Sequence, residues 1–74
     1  MSSELPSLTP KQVVKVLEEM GYVLYRQKGS HRIYVKDERQ AVVPYHGRDL
    51  KKGTLFQIIK STGLSANEFM EYLR

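Results

Sequence analysis

Seventy-four residues without a cysteine, with twelve Lys and Arg against eight Asp and Glu, make a small basic chain of formal charge +4. A chain this short buries only ~60 % of its unfolded surface, which excludes a deep substrate cavity and favours a surface site for a large ligand. A disulfide framework and a thiolate metal site are excluded as well, and no apolar run approaches the ~20 residues of a membrane span.

The N-terminus, with Ser2, Ser3, Glu4 and Pro6, lacks the basic and apolar regions of a signal peptide, so a soluble, cytoplasmic protein is expected. Residues 1–74 read as one domain, with residues 1–8 as a flexible extension. Thr9-Pro10-Lys11-Gln12 then opens a helix, with a capping threonine, proline at the first helical position and glutamine at the capping-box position. Val13, Leu17 and Met20, with Val14 beside them, form its apolar stripe, and Gly21 stops it.

From Tyr22 to Lys28 the residues suit a strand, and Gly29-Ser30 turns the chain into a second strand, His31 to Lys36. Alternation places His31, Ile33 and Val35 on one face and Arg32, Tyr34 and Lys36 on the other. Asp37-Glu38-Arg39-Gln40 reads as a polar connection to a short third strand, Ala41-Val42-Val43, ended by Pro44. A loop runs from Tyr45 to Gly53. Thr54-Leu55-Phe56-Gln57 repeats the capping pattern and begins a second helix, with Leu55, Ile58 and Ile59 as its apolar stripe and Gly63 as its stop. Ser65-Ala66-Asn67-Glu68 opens a last short helix whose Phe69 and Leu73 close over the core. The order α-β-β-β-α-α is an α+β arrangement: a three-stranded antiparallel sheet with helices on one face.

Charge is concentrated in the middle of this plan. Residues 25–53 carry eight Lys and Arg against three Asp and Glu, a net of +5, while residues 1–24 carry −1 and the remainder cancels. Such a patch is either a solvated face or a polyanion site, where several phosphates are neutralised together with release of counterions. Both histidines, His31 and His46, fall within it.

His31 lies in Arg26-Gln27-Lys28-Gly29-Ser30-His31-Arg32, just after the turn, with a cation on either side. Histidine is the side chain whose ordinary pKa lies near neutrality, so among phosphate-binding cations it can also move protons. That combination suggests chemistry on RNA: a metal-free ribonuclease can use the 2′-hydroxyl of its substrate as nucleophile, given a base for that proton and cations for the phosphate oxygens. His31 fits the base, and Arg26, Lys28 or Arg32 the cations. From the residues alone, the reading of His31 as a strand histidine at the margin of the core, on the face of Ile33 and Val35, is the favoured one. His46 is either a second acid/base group or a loop residue holding the turn around Gly47. Tyr34 and Tyr45 are either base-stacking platforms or half-buried packing residues. Two histidines fifteen residues apart, without clustered acids or cysteines, do not make a zinc site, and isolated Gly47 and Gly53 do not make a nucleotide loop.

Taken in order, Gly21-Tyr22, Arg26-Gln27-Lys28-Gly29-Ser30-His31, Val43-Pro44-Tyr45-His46, Leu50-Lys51-Lys52-Gly53-Thr54-Leu55 and Ile58-Ile59-Lys60-Ser61-Thr62-Gly63-Leu64 make the chain resemble the HicA (YcfA-like) toxins, mRNA interferases of toxin–antitoxin pairs. The resemblance spans nearly the whole chain. It implies a double-stranded-RNA-binding-domain-like fold, metal-independent endoribonuclease cleavage of mRNA without a cofactor, and neutralisation by a HicB-like antitoxin. It also implies that His31, the histidine of Gly-Ser-His, is catalytic. Arg26, Lys28, Ser30, Arg32, His46, Lys51 and Lys52 are the expected RNA-binding set. The alternative is a non-catalytic double-stranded-RNA-binding module, which Lys51-Lys52 before the second helix partly fits.

Overall fold

A computed structural model describes residues 6–73. Helix α1 (Pro10–Glu19) is followed by strands β1 (Val23–Lys28), β2 (His31–Lys36) and β3 (Arg39–Pro44), then by helices α2 (Lys52–Thr62) and α3 (Ala66–Glu71). The strands pair antiparallel in the order β1-β2-β3, and α1 and α2 pack against β3. This is the expected α+β arrangement.

Local chemistry accounts for the ends of the elements. The Gln12 amide donates to Thr9 Oγ1 at 3.2 Å and Gln12 Oε1 accepts from the Thr9 amide at 2.9 Å, so the capping box forms reciprocally. Val13, Val14, Val16 and Leu17 are the buried stripe of α1, while Met20 only flanks the core. Lys36 Nζ donates to the Met20 carbonyl at 2.6 Å, placing a cation where the helix dipole is negative. Ser65 and Glu68 form a second capping box at α3, which seats the fully buried Phe69.

Both hairpins turn in two residues. Gly29 takes φ 61° at the first central position of its turn and no positive φ follows at Ser30, the pattern of a type II′ turn. The second turn is tighter than the expected four-residue connection: only Asp37 and Glu38 lie between strands, and Arg39 and Gln40 pair with Lys36 and Val35. Asp37 makes this possible by accepting φ 55°, which a short polar side chain tolerates better than most. Pro44 still ends the strand, on an edge where its missing N–H breaks no ladder.

Three further expectations are corrected. The core face of β2 is that of Tyr34, 1 % exposed and paired with buried Ala41, whereas Ile33 and Val35 lie half-buried on the face without helices. Both faces of β2 carry apolar side chains; β3 decides the matter, since Ala41 and Val43 share the Tyr34 face. Helix α2 begins at Lys52 after Lys51, and Thr54 sits inside the first turn without capping it. Finally, Leu8 does not belong to an extension. It is 3 % exposed and its carbonyl accepts the Leu50 amide at 2.8 Å, tying the loop after β3 to the start of α1; residues 1–5 lie outside the described residues.

Tyr22 is buried, and its hydroxyl has no hydrogen-bond partner among the described residues. Burial pushes its pKa above the usual value, partly offset by the Arg39 charge.

Candidate nucleic-acid interface

The type II′ turn fixes the geometry of the hairpin end. It pairs Lys28 directly with His31, and His31 in turn pairs with Pro44. One step along the ladder, Arg26 pairs with Ile33 and Ile33 with Val42. Arg26, Lys28 and His31 therefore share the sheet face that carries no helix, and all three are exposed. His31 is thus a surface residue beside two cations, away from the core.

Ser30 contributes its carbonyl, which accepts the Tyr45 amide at 2.6 Å. That bond folds the chain after β3 against the hairpin and brings Tyr45 and His46 to the His31 end. Within the loop, the Arg48 amide donates to His46 Nδ1 at 3.2 Å, closing the turn around Gly47. The loop-holding role of His46 is therefore present in the geometry, with Nε2 left to carry the proton of the neutral ring. Thr9, Lys11, Tyr45, His46 and Gly47 line a shallow cleft of ≈ 510 Å³.

Arg32 is separated from His31 by the alternation of the strand. Its guanidinium lies 3.7 Å from the centre of the Tyr45 ring, and Nε donates to Gln27 Oε1 at 3.2 Å. A long 3.5 Å contact from Nη1 to the Tyr34 hydroxyl is the main cause that holds the Arg32 pKa above its usual value. Arg32 braces the hairpin and the loop from the helix side, so Arg26 and Lys28 are the cations that accompany His31. Gln27 Nε2 donates to the Gly29 carbonyl at 3.0 Å, which stiffens the turn itself.

The basic segment divides accordingly. Lys36 and Arg39, at the opposite end of the sheet, donate to the carbonyls of Met20 and Ser61 and neutralise helix C-termini. Lys51 and Lys52 lie at the N-terminus of α2, which has no side-chain cap. Cations at the positive end of a helix dipole oppose folding slightly, but together with uncapped amides they favour an anionic ligand.

Lys11 is the residue that sequence reasoning missed. It belongs to a stretch of net charge −1, and only the Leu8–Leu50 tie and the Ser30–Tyr45 bond bring it beside His46. Among the described residues, no group of three His, Cys, Asp or Glu is placed to hold a metal ion. No described helix is long and apolar enough to cross a membrane.

A family profile for the HicA toxins of bacterial toxin–antitoxin systems matches residues 10–64, a span that runs from the start of α1 to just past the end of α2 and includes every residue named in this interface except Leu8 and Thr9. The chain belongs to the HicA toxin family. A HicA protein is the toxin of a toxin–antitoxin system, so family membership implies an antitoxin partner. No curated protein matches the chain closely enough to be counted a relative.

Proposed function

We propose that this HicA toxin is a metal-independent endoribonuclease that cleaves mRNA in the cytoplasm and so inhibits translation, with His31 as general base. The observation that carries this reading is the register pair Lys28–His31 on the uncovered sheet face, beside Arg26. A base at that position is accessible to a chain as large as RNA, and the two cations accompany it where phosphate charge develops.

In the reaction, the 2′-hydroxyl attacks the adjacent phosphorus while its proton passes to His31. The P–O5′ bond breaks, the 5′-oxygen takes up a proton from water, and a cyclic phosphate remains on the other fragment. Lys28 and Arg26 stabilise the extra charge on the phosphate oxygens. Ser30, Lys51, Lys52 and His46 extend the phosphate-binding surface, while Arg32 holds the hairpin against Tyr45. Neutralisation falls to a HicB-like antitoxin, an acidic domain that covers the basic face and His31 in competition with RNA.

Binding of double-stranded RNA without cleavage is the second reading, favoured by Lys51 and Lys52 at the uncapped N-terminus of α2. Purified protein incubated with a defined mRNA in EDTA separates the two. Cleavage that persists in EDTA supports the nuclease. Retention of duplex RNA without any cut favours the second reading, and cleavage that requires added magnesium contradicts the metal-independent mechanism.

A further inference from the structure

The uncovered sheet face holds more than its basic end. Register sets Val23 beside Val35 and Ile33 beside Val42, so four aliphatic side chains lie together on this face. Val23 is 61 % exposed and Val42 40 % exposed. The patch begins one ladder step from the Lys28–His31–Pro44 row, about 7 Å away. None of the residues that the register places on this face is Asp or Glu; its remaining members are Arg26, Lys28, His31, Gln40 and Pro44.

These aliphatic groups add nothing to the electrostatic grip on a phosphate backbone, which the cations supply. A contiguous apolar patch with a charged rim is instead the signature of a protein interface. We propose that the Val23–Ile33–Val35–Val42 patch is the anchor for the antitoxin, which presents an apolar centre flanked by carboxylates that reach Arg26 and Lys28. The occupant follows from charge: a second copy laid face to face brings more cations and no carboxylate to this surface, whereas an acidic partner meets complementary charge. The mode follows from the strand. The register shift between Leu24 and Arg26 disrupts the outer edge of β1, which disfavours addition of a partner strand and leaves the face as the docking surface.

The anchor adjoins the catalytic end without belonging to it, so a partner seated there reaches over His31 while its affinity is set by contacts that RNA does not use. Only this consequence rests on the nuclease reading; the anchor itself rests on the patch and on membership of the toxin family.

The test compares the wild-type chain with Val23→Ser/Val42→Ser, using as probe the product of the reading frame adjacent to this one, purified separately. Titration calorimetry reads affinity, and an RNA cleavage assay without partner reads activity. The double variant is expected to bind the partner at least tenfold more weakly and to cleave RNA at the wild-type rate. Phe56→Ser, at an exposed position on α2, leaves both unchanged. If the serine pair impairs folding by circular dichroism, Val23→Thr/Val42→Thr keeps the β-branched shape and carries the same expectation. Wild-type affinity in the folded variants overturns the proposal, as does parallel loss of cleavage, a wild-type dimer that these changes dissolve in sedimentation, or no complex with the wild-type chain. Should the wild-type chain fail to cleave RNA, the nuclease reading falls while the binding arm still decides the anchor.

Discussion

Replacing Lys28 by Gln, and separately Lys36 by Gln, divides cations that a charge count treats alike. Of the eight in residues 25–53, Lys36 and Arg39 are committed to helix C-termini and Arg32 to Tyr45 and Gln27. Arg26, Lys28, Arg48, Lys51 and Lys52 remain, and Lys11 joins them through the cleft at Tyr45, which makes six. If all six meet phosphates of single-stranded RNA, the logarithm of affinity falls with the logarithm of salt at a slope of about −4, or about 300-fold between 50 and 200 mM. Lys28→Gln then flattens the slope by about 0.7, while Lys36→Gln leaves it unchanged. The second change weakens the C-terminus of α1 by about 0.3–1 kcal/mol instead, seen as a lower melting temperature. Fluorescence anisotropy with labelled RNA across a salt series, on a His31→Ala background so that the RNA survives, measures both slopes. If Lys36→Gln or Arg39→Gln flattens the slope as much as Lys28→Gln does, the division of cations is wrong.

Tyr22→Phe removes a buried hydroxyl that has no partner among the described residues and is expected to stabilise the fold by about 1 kcal/mol in urea melts at pH 7; a loss of stability would show that the hydroxyl is satisfied. Because burial raises the Tyr22 pKa, the neutral ring is favoured in the folded state. Its contribution is intact below about pH 10 and is lost as the pH rises further, so the variant should show a shallower alkaline decline. Gly63→Ala places a side chain at φ 81°, with its Cβ 2.8 Å from Arg39 Nη2. The arginine can swing aside but loses the Ser61 carbonyl, and the backbone penalty stays, so thermal melts should show a loss of about 1–2 kcal/mol.

Much of the fold was legible because local chemistry decided it. Thr9-Pro10-Lys11-Gln12 and Ser65-Ala66-Asn67-Glu68 cap their helices as read, and Gly29-Ser30 turns where a glycine is needed. The misreadings arose where two local signals competed. Thr54-x-x-Gln57 carries the letters of a capping box, yet the helix had already started at Lys52. Arg39 and Gln40 look like a loop, but Asp37 accepts a positive φ and releases them to pair. Ile33 and Val35 appear more core-like than Tyr34, and only the cross-strand partners Ala41 and Val42 show which face the helices cover. The candidate site was legible as a set of residues but not as a division of them. That Arg32 faces away from His31 follows from alternation, whereas the tasks of Lys36 and Arg39 and the approach of Lys11 depend on tertiary bonds that no local pattern encodes.

The central claim is that His31 performs proton transfer on the uncovered face. His31 is exposed, so His31→Ala should melt as the wild type does. Loss of a positioned base predicts roughly a 10²–10⁴-fold slower cleavage of a defined mRNA in EDTA. A variant with an unchanged melting curve and wild-type cleavage would contradict the assignment.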